Sequence, residues 1–302
     1  MECKEEELDN LYFSKNVNDI IKFYHCFSDI KDMIKWARSR PTPKINIYER
    51  EGNSEILFVI PTPNVKDKLT ENLTKSLGNF HIVYSESNGR YFNYAKSVNY
   101  AIKEALKYNP KWIIIMNNDI IIEDDINKLY LQLLNIDSKK VSAVIGAGGK
   151  DIFGLCKFNV LFHLLRVTKY KYKYEILRKF KVKYYKLLPM RSFRLICYPP
   201  VVSVRNLAFF GEIVIVSPYY ISRNNGMLFD ETYINGMEDD DLLLNIILKE
   251  SYAKVYFKFK HLVGQSLGTS EPRHLRDLFN KIYFNYKIKK GIINIYKKNL
   301  IL

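Results

Sequence analysis

The stretch Trp112-Ile113-Ile114-Ile115-Met116-Asn117-Asn118-Asp119-Ile120-Ile121-Ile122 decides the fold class, because an apolar run ends in two amides and an acid. A short β-branched run of this kind reads as a buried central strand. Ligands of open α/β sheets gather beyond the carboxyl ends of such strands, so Asp119 is expected to meet one. Upstream, residues 56–60 form a second apolar run closed by Pro61-Thr62-Pro63-Asn64. Residues 66–77 suit a helix, 80–84 a strand, 85–89 its loop and 94–108 a long helix ending at Asn109-Pro110. The resulting β-α-β-α-β order is that of parallel strands with helical crossovers.

Further out the pattern is less regular. Residues 1–40 repeat apolar positions three and four apart, which predicts peripheral helices ended by Pro41-Thr42-Pro43. Residues 141–146 read as a strand running into Gly146-Ala147-Gly148-Gly149, and 153–165 as an apolar helix. Lysine alternates with tyrosine or aliphatic residues over 169–176 and 179–184, which predicts strands with one cationic and one aromatic face. Strands at 213–216 and 253–257, a helix over 241–249 and a C-terminal helix from about Arg273 complete the reading. No internal repeat or low-complexity tract interrupts it. The domain organisation expected is a helical extension over 1–50, a catalytic body over 51–270 carrying a basic insertion at 151–205, and a basic helix over 271–302.

With 302 residues, 47% of them hydrophobic, the chain can bury one substantial core. Its four cysteines, Cys3, Cys26, Cys156 and Cys197, form no CxxC pair, which argues against a disulfide framework or structural zinc and for a reducing compartment. Met1 to Leu8 is acidic where a secretory signal is basic, and no run reaches the length of a membrane span. The expectation is a cytoplasmic protein without an integral anchor. The net charge of +15 is concentrated: residues 151–200 carry a net +10, and 281–302 carry six lysines and no acid, leaving the remainder close to neutral. Localised positive charge points to a polyanionic surface, a membrane face or nucleic acid, with a merely solvated lysine-rich surface as the plain alternative.

A second acidic cluster, Glu238-Asp239-Asp240-Asp241, is followed by an isolated histidine, His261. One carboxylate for a metal, one for a base and a histidine suggest transfer chemistry on a phosphorylated donor. Each residue also has a structural explanation. Asp119 could cap a helix, and the four acids suit the first turn of one. His261 could be a satisfied structural residue. Asn93 and Asn99 could be caps, and Pro61 and Pro63 could shape a turn.

Six segments stand in order: Ile60-Pro61-Thr62, Phe92-Asn93-Tyr94-Ala95, Met116-Asn117-Asn118-Asp119, Leu228-Phe229-Asp230-Glu231, Glu238-Asp239-Asp240-Asp241-Leu242 and His261-Leu262-Val263-Gly264-Gln265-Ser266. Together, over residues 56–266, they resemble the family 2 glycosyltransferases of the GT-A fold, in particular a rhamnosyltransferase-like subgroup. Ala95 stands where that family usually has serine, Leu228 where it has glycine, and Asn117 where many members have the first acid of a D-x-D. The region that would recognise the base is shorter than usual. The resemblance implies a GT-A-like mixed, mostly parallel sheet flanked by helices, and inverting transfer of a sugar from a nucleotide-diphosphate donor. Mn²⁺ or Mg²⁺ would sit at Asp119 with His261, and Asp239 would be the base. Pro61, Thr62, Asn64, Glu86, Asn93, Asn99, Asn117 and Asn118 would surround the donor, with Asp230, Glu238 and Asp240 on the acceptor side.

The acceptor implied is a glycan, glycolipid or glycoprotein. For the Lys/Tyr segment, anionic lipid at the inner membrane face is favoured over a subunit interface and over nucleic acid, for which no binding module is recognisable. The rival reading is a basic protein that keeps the fold, has lost turnover and binds a membrane surface or nucleic acid. A nucleotidyltransferase would need a Gly/Lys-rich triphosphate loop, which the chain lacks.

Overall fold

A computed structural model describes residues 3–152, 171–182, 211–262 and 270–290. Three helices open the chain, α1 (Glu5–Phe13), α2 (Val17–His25) and α3 (Ile30–Ser39). Asn16 and Asp29 cap the second and third by accepting from the backbone N–H of Asn18 and Lys31. The alternating core follows: β1 (Asn46–Arg50), β2 (Asn53–Thr62), α4 (Lys68–Ser76), β3 (Phe80–Glu86), α5 (Tyr94–Ala105) and β4 (Trp112–Met116). The strand at Asn46–Arg50 lies within the stretch that the sequence reading gave to the helical extension. Next come β5 (Ile120–Ile122), α6 (Ile126–Leu134), β6 (Ala143–Ile152) and α7 (Lys171–Lys179). The chain continues with β7 (Ile213–Val216), α8 (Pro218–Arg223), α9 (Glu238–Lys249), β8 (Tyr252–Leu262), α10 (Glu271–Arg276) and α11 (Leu278–Lys289).

The eight strands lie in the order β1-β3-β2-β4-β7-β6-β8-β5. β2 is parallel to β3 and to β4, as the β-α-β-α-β reading requires, and β6 is parallel to β8. The other four pairings, β1·β3, β4·β7, β6·β7 and β5·β8, are antiparallel. The sheet is therefore mixed rather than mostly parallel. Apolar runs such as Ile213–Val216 show burial on both faces but carry no record of direction.

Strand order forces curvature. β4 and β5 are joined by only Asn117, Asn118 and Asp119, a span of at most about 14 Å, yet four strand spacings of about 4.8 Å separate them in the sheet. A flat sheet would need about 19 Å, so the far edge curls back over the ends of β2 and β4. Gly148 helps at the bulge between Ala147 and Gly149: its φ is +109°, and a Cβ there would lie 2.6 Å from the Phe257 carbonyl oxygen.

One sheet face packs Ile114, Ile215 and Phe257 under α4 and α6, where the Trp112 indole donates to the Leu133 carbonyl at 3.1 Å. The other face packs Val59, Ile115 and Val214 under α5, α8 and α9. On α5 the small residues Ala95, Ala101 and Ala105 let the helix lie close to the strands. A third cluster joins α1–α3 to α11 through Tyr12, Phe23, Trp36 and Phe279.

Two sequence expectations are corrected. Of the Lys/Tyr segment expected as a strand over 169–176, the described part, from Lys171, is helix α7, with Ile176 and Leu177 buried against α2 and α11; over so short a lysine-rich run the aromatic and aliphatic spacing fits a helical period as well as a period of two. Cys3 and Cys26 form a disulfide between the residue before α1's cap and the end of α2, where the cysteine spacing argued against a disulfide framework and for a reducing compartment. The spacing of Cys3 and Cys26 follows no pattern because the helical packing brings them together. The expected helix at 153–165, Cys156, Cys197, most of the 151–205 insertion, the end of the His261 segment and residues 291–302 lie outside the described residues. Among the described residues no helix is long and apolar enough to cross a membrane.

Candidate functional site

The curl brings the β5–β8 edge against the ends of β2 and β4. A cavity of about 420 Å³ opens there, lined by Pro61 and Thr62 from β2, Asn117, Asn118 and Asp119 after β4, and His261 from β8. Residues as far apart in sequence as 61 and 261 thus share one hollow.

The floor is a buried polar network. The Asn118 amide donates to the Thr62 and Thr70 hydroxyls and to Asp67 Oδ2, each at 3.3 Å, and the two threonine hydroxyls lie 2.8 Å apart. Asp67 also caps α4 by accepting from the N–H groups of Leu69 and Thr70. Burial raises the Asp67 carboxyl, but these N–H groups and the threonine hydroxyls outweigh it and hold Asp67 below the ordinary aspartate value. Asn117 is fixed through both backbone and side chain: its N–H donates to the Glu212 carbonyl at 3.0 Å, and the Tyr94 hydroxyl donates to its Oδ1 at 2.9 Å.

Asp119 is 5% exposed, and the helix-cap explanation does not apply to it. The cap of α6 is Asp125, which accepts from the Asn127 N–H. The Asp119 carbonyl accepts from the Leu262 N–H at 3.0 Å, and its Oδ1 lies 3.4 Å from His261 Nε2 while making no hydrogen bond among the described residues. On the other side of the ring, His261 Nδ1 lies 3.9 Å from Oε1 of Glu212, itself 3% exposed. A buried carboxylate oxygen without a hydrogen bond, facing an imidazole nitrogen, fits a divalent cation that accepts oxygen and nitrogen ligands. Among the described residues no group of three or more His, Cys, Asp or Glu converges as a metal site. A cation held by Asp119 and His261 would therefore complete its shell with water and phosphate oxygens, as Mg²⁺ commonly does.

Other residues expected around the donor serve as braces. Asn64 accepts from the Lys66 N–H, and Glu86 from the Val65 N–H, so both shape the loop after β2 without lining the cavity. Asn93 caps α5 and donates to the Tyr233 carbonyl at 2.8 Å. Asn99 accepts from the N–H groups of Leu228 and Phe229 and donates to the Phe229 carbonyl, holding the 228–231 segment onto α5.

Of the acids expected on the acceptor side, Asp230 and Glu238 gather elsewhere. A second cavity, of about 550 Å³, is lined by Asp230, Glu231, Glu238, Asp241 and, from α11, Lys287. Lys287 bridges Asp230, at 2.9 Å, and Asp241, while the Tyr283 hydroxyl donates to Asp230 at 2.8 Å. Burial opposes charge on Asp230, yet Lys287, the Thr232 N–H and Tyr283 hold its carboxyl below the ordinary value. Burial dominates at Asp241 and raises it despite Lys287. Glu238 is pushed up to about 8, first by burial and then by the neighbouring charge of Asp239. Asp239 and Asp240 sit half-buried in the first turn of α9 and line neither cavity.

No protein-family model matches the chain, and no curated protein matches it. The site therefore stands on its own geometry. Sequence reasoning missed Tyr94, Asp67, Glu212 and Lys287. Tyr94 lay inside a segment already singled out, and Glu212 directly abuts the buried strand Ile213–Val216, where an acid is unusual. Asp67 and Lys287 gave no signal, since one reads as a cap and the other as a solvated lysine.

Proposed function

We propose that this protein is a glycosyltransferase that moves a sugar from a nucleotide-diphosphate donor to an acceptor hydroxyl with inversion. The observation that carries the reading is the convergence of Thr62, Asn118, Asp119 and His261 at one cavity beyond the ends of parallel strands β2 and β4. That is where open α/β sheets bind nucleotides, and the donors there suit a diphosphate with a cation. A bound Mn²⁺ or Mg²⁺ would neutralise charge growing on the leaving diphosphate. Asp119 and His261 would hold it, and the backbone around Asn117 would shape the hollow.

In the reaction, Asp239 takes the proton of the acceptor hydroxyl, whose oxygen forms a bond to the anomeric carbon from the face opposite the nucleotide. The bond from that carbon to the diphosphate oxygen breaks, and the nucleoside diphosphate departs. Asp239 takes this role from the resemblance of the Glu238-Asp239-Asp240-Asp241 segment to the acidic box of family 2 glycosyltransferases. The basic charge excess supports a lipid-linked or membrane-proximal acceptor.

Nucleotide release from a panel of UDP-, GDP- and dTDP-sugars, with Mn²⁺, Mg²⁺ or chelator, tests the proposal. Metal-dependent release from one donor, abolished by Asp119→Ala and by Asp239→Asn, is the expected result. Release that survives Asp239→Asn would remove that residue from the mechanism, and absence of donor binding by calorimetry across the panel would sink the transferase reading.

A further inference from the structure

Among the described residues, Glu212 is a buried acid beside the cavity that no sequence segment singled out. It stands immediately before central strand β7, and its backbone carbonyl accepts from the Asn117 N–H at 3.0 Å, which fixes it to the turn that carries Asp119. Its carboxylate Oε1 is 3.9 Å from His261 Nδ1, while His261 Nε2 is 3.4 Å from Asp119 Oδ1. The imidazole therefore stands between two buried carboxylates, one at each ring nitrogen.

The two contacts have different consequences. A neutral imidazole has one N–H and one lone pair, and which nitrogen carries which is set by the partner of the other. With a cation between Nε2 and Asp119, a carboxylate facing Nδ1 would favour the proton on Nδ1 and free the Nε2 lone pair for the metal. Acids that hold a histidine in this way orient it, fix its tautomer and raise its basicity as a ligand. At 3.9 Å the Glu212 contact is longer than a hydrogen bond; contacts of this kind commonly tighten when the ligand arrives.

We propose that Glu212 is a positioning residue that orients His261, so that Nε2 and Asp119 Oδ1 present themselves together to a divalent cation. The assignment rests on the metal reading of the cavity given above. It adds a residue to that site from packing alone, since Glu212 acts through His261.

The test is Mn²⁺ binding to the full-length protein, read by calorimetry and by the ¹⁴N coupling of an imidazole ligand in pulsed electron paramagnetic resonance. Wild type is expected to show the nitrogen coupling, and His261→Ala to lose it. Glu212→Ala is expected to weaken Mn²⁺ binding about 10–100-fold and to diminish the coupling, a loss typical for the acid behind a metal-binding histidine. Glu212→Gln keeps the size and an acceptor oxygen and is expected to weaken binding less, so it carries the test should the alanine variant not fold. Circular dichroism and thermal melts establish that each variant is folded. Wild-type affinity and coupling in a folded Glu212 variant would overturn the assignment. Wild-type protein that binds no Mn²⁺, or binds it without nitrogen coupling, would instead overturn the metal reading at His261, and the Glu212 assignment with it.

Discussion

At the scale of single residues, the buried acids differ in what compensates them. Asp119 Oδ1 has no hydrogen bond among the described residues, so an amide of the same shape breaks none there in the metal-free protein. Asp119→Asn is therefore expected to be at least as stable as wild type in chelator. With Mn²⁺ at about 100 times Kd, wild type should gain about 2.7 kcal/mol that the variant does not; thermal melts with and without metal read this directly. Glu238 gives a pH signature. Its carboxyl rises from 4.5 to about 8 in the folded protein, so the native state holds a proton that the unfolded chain has released. That stability is fully present below about pH 4.5 and is lost as pH rises through 8, a change on the order of a few kcal/mol. Glu238→Gln, which can still accept from the Gly236 N–H, should flatten the profile between those values in urea titrations across pH.

At the scale of elements, α9 begins in a way its four acids do not explain. Asn235 and Met237 have positive φ, and Gly236 is pressed so closely on α10 and α11 that a Cβ would lie 2.9 Å from Asp277 Oδ1. The turn is held from outside: Asn280 bonds both the N–H and the carbonyl of Ile234, and Lys287 ties Asp241 of α9 to Asp230 in the preceding loop. Lys287→Met would leave the buried Asp241 and the half-buried Asp230 without their cation, and a loss of about 3 kcal/mol is expected by denaturant titration. If the lysine acts only on those acids, adding Asp241→Asn should recover part of the loss. The curl of the sheet belongs to this scale too, because a three-residue link between β4 and β5 places His261 beside Asp119.

At the scale of the whole molecule, the two ends of the described chain form one body. The Tyr24 hydroxyl on α2 donates to the Leu275 carbonyl at 2.7 Å and accepts from the Phe279 N–H at 2.9 Å, at the junction of α10 and α11. Tyr24→Phe should lower stability by about 1–3 kcal/mol, since it strands a buried N–H group, while leaving nucleotide binding unchanged. Urea unfolding and donor calorimetry on the same variant would separate the two effects. A loss of donor affinity comparable with the loss of stability would mean that the helical cluster shapes the cavity.

The sequence by itself determined the central strands, the helices between them and the place of Asp119. Local hydrophobic period, caps and strand-end polarity are written in neighbouring residues, so the runs at 56–60, 112–116 and 213–216 could be read without their partners. Direction and pairing could not, because a doubly buried strand looks the same in either orientation, and Ile120 to Ile122 is too short a run to show which strand it joins. Tertiary structure alone decided that those three residues pair with β8 at the far edge, that Glu212 faces His261, that Cys3 meets Cys26, and that Asn99 braces the loop at 228–231. Each depends on contacts between residues far apart in sequence, and such contacts leave no local period to read.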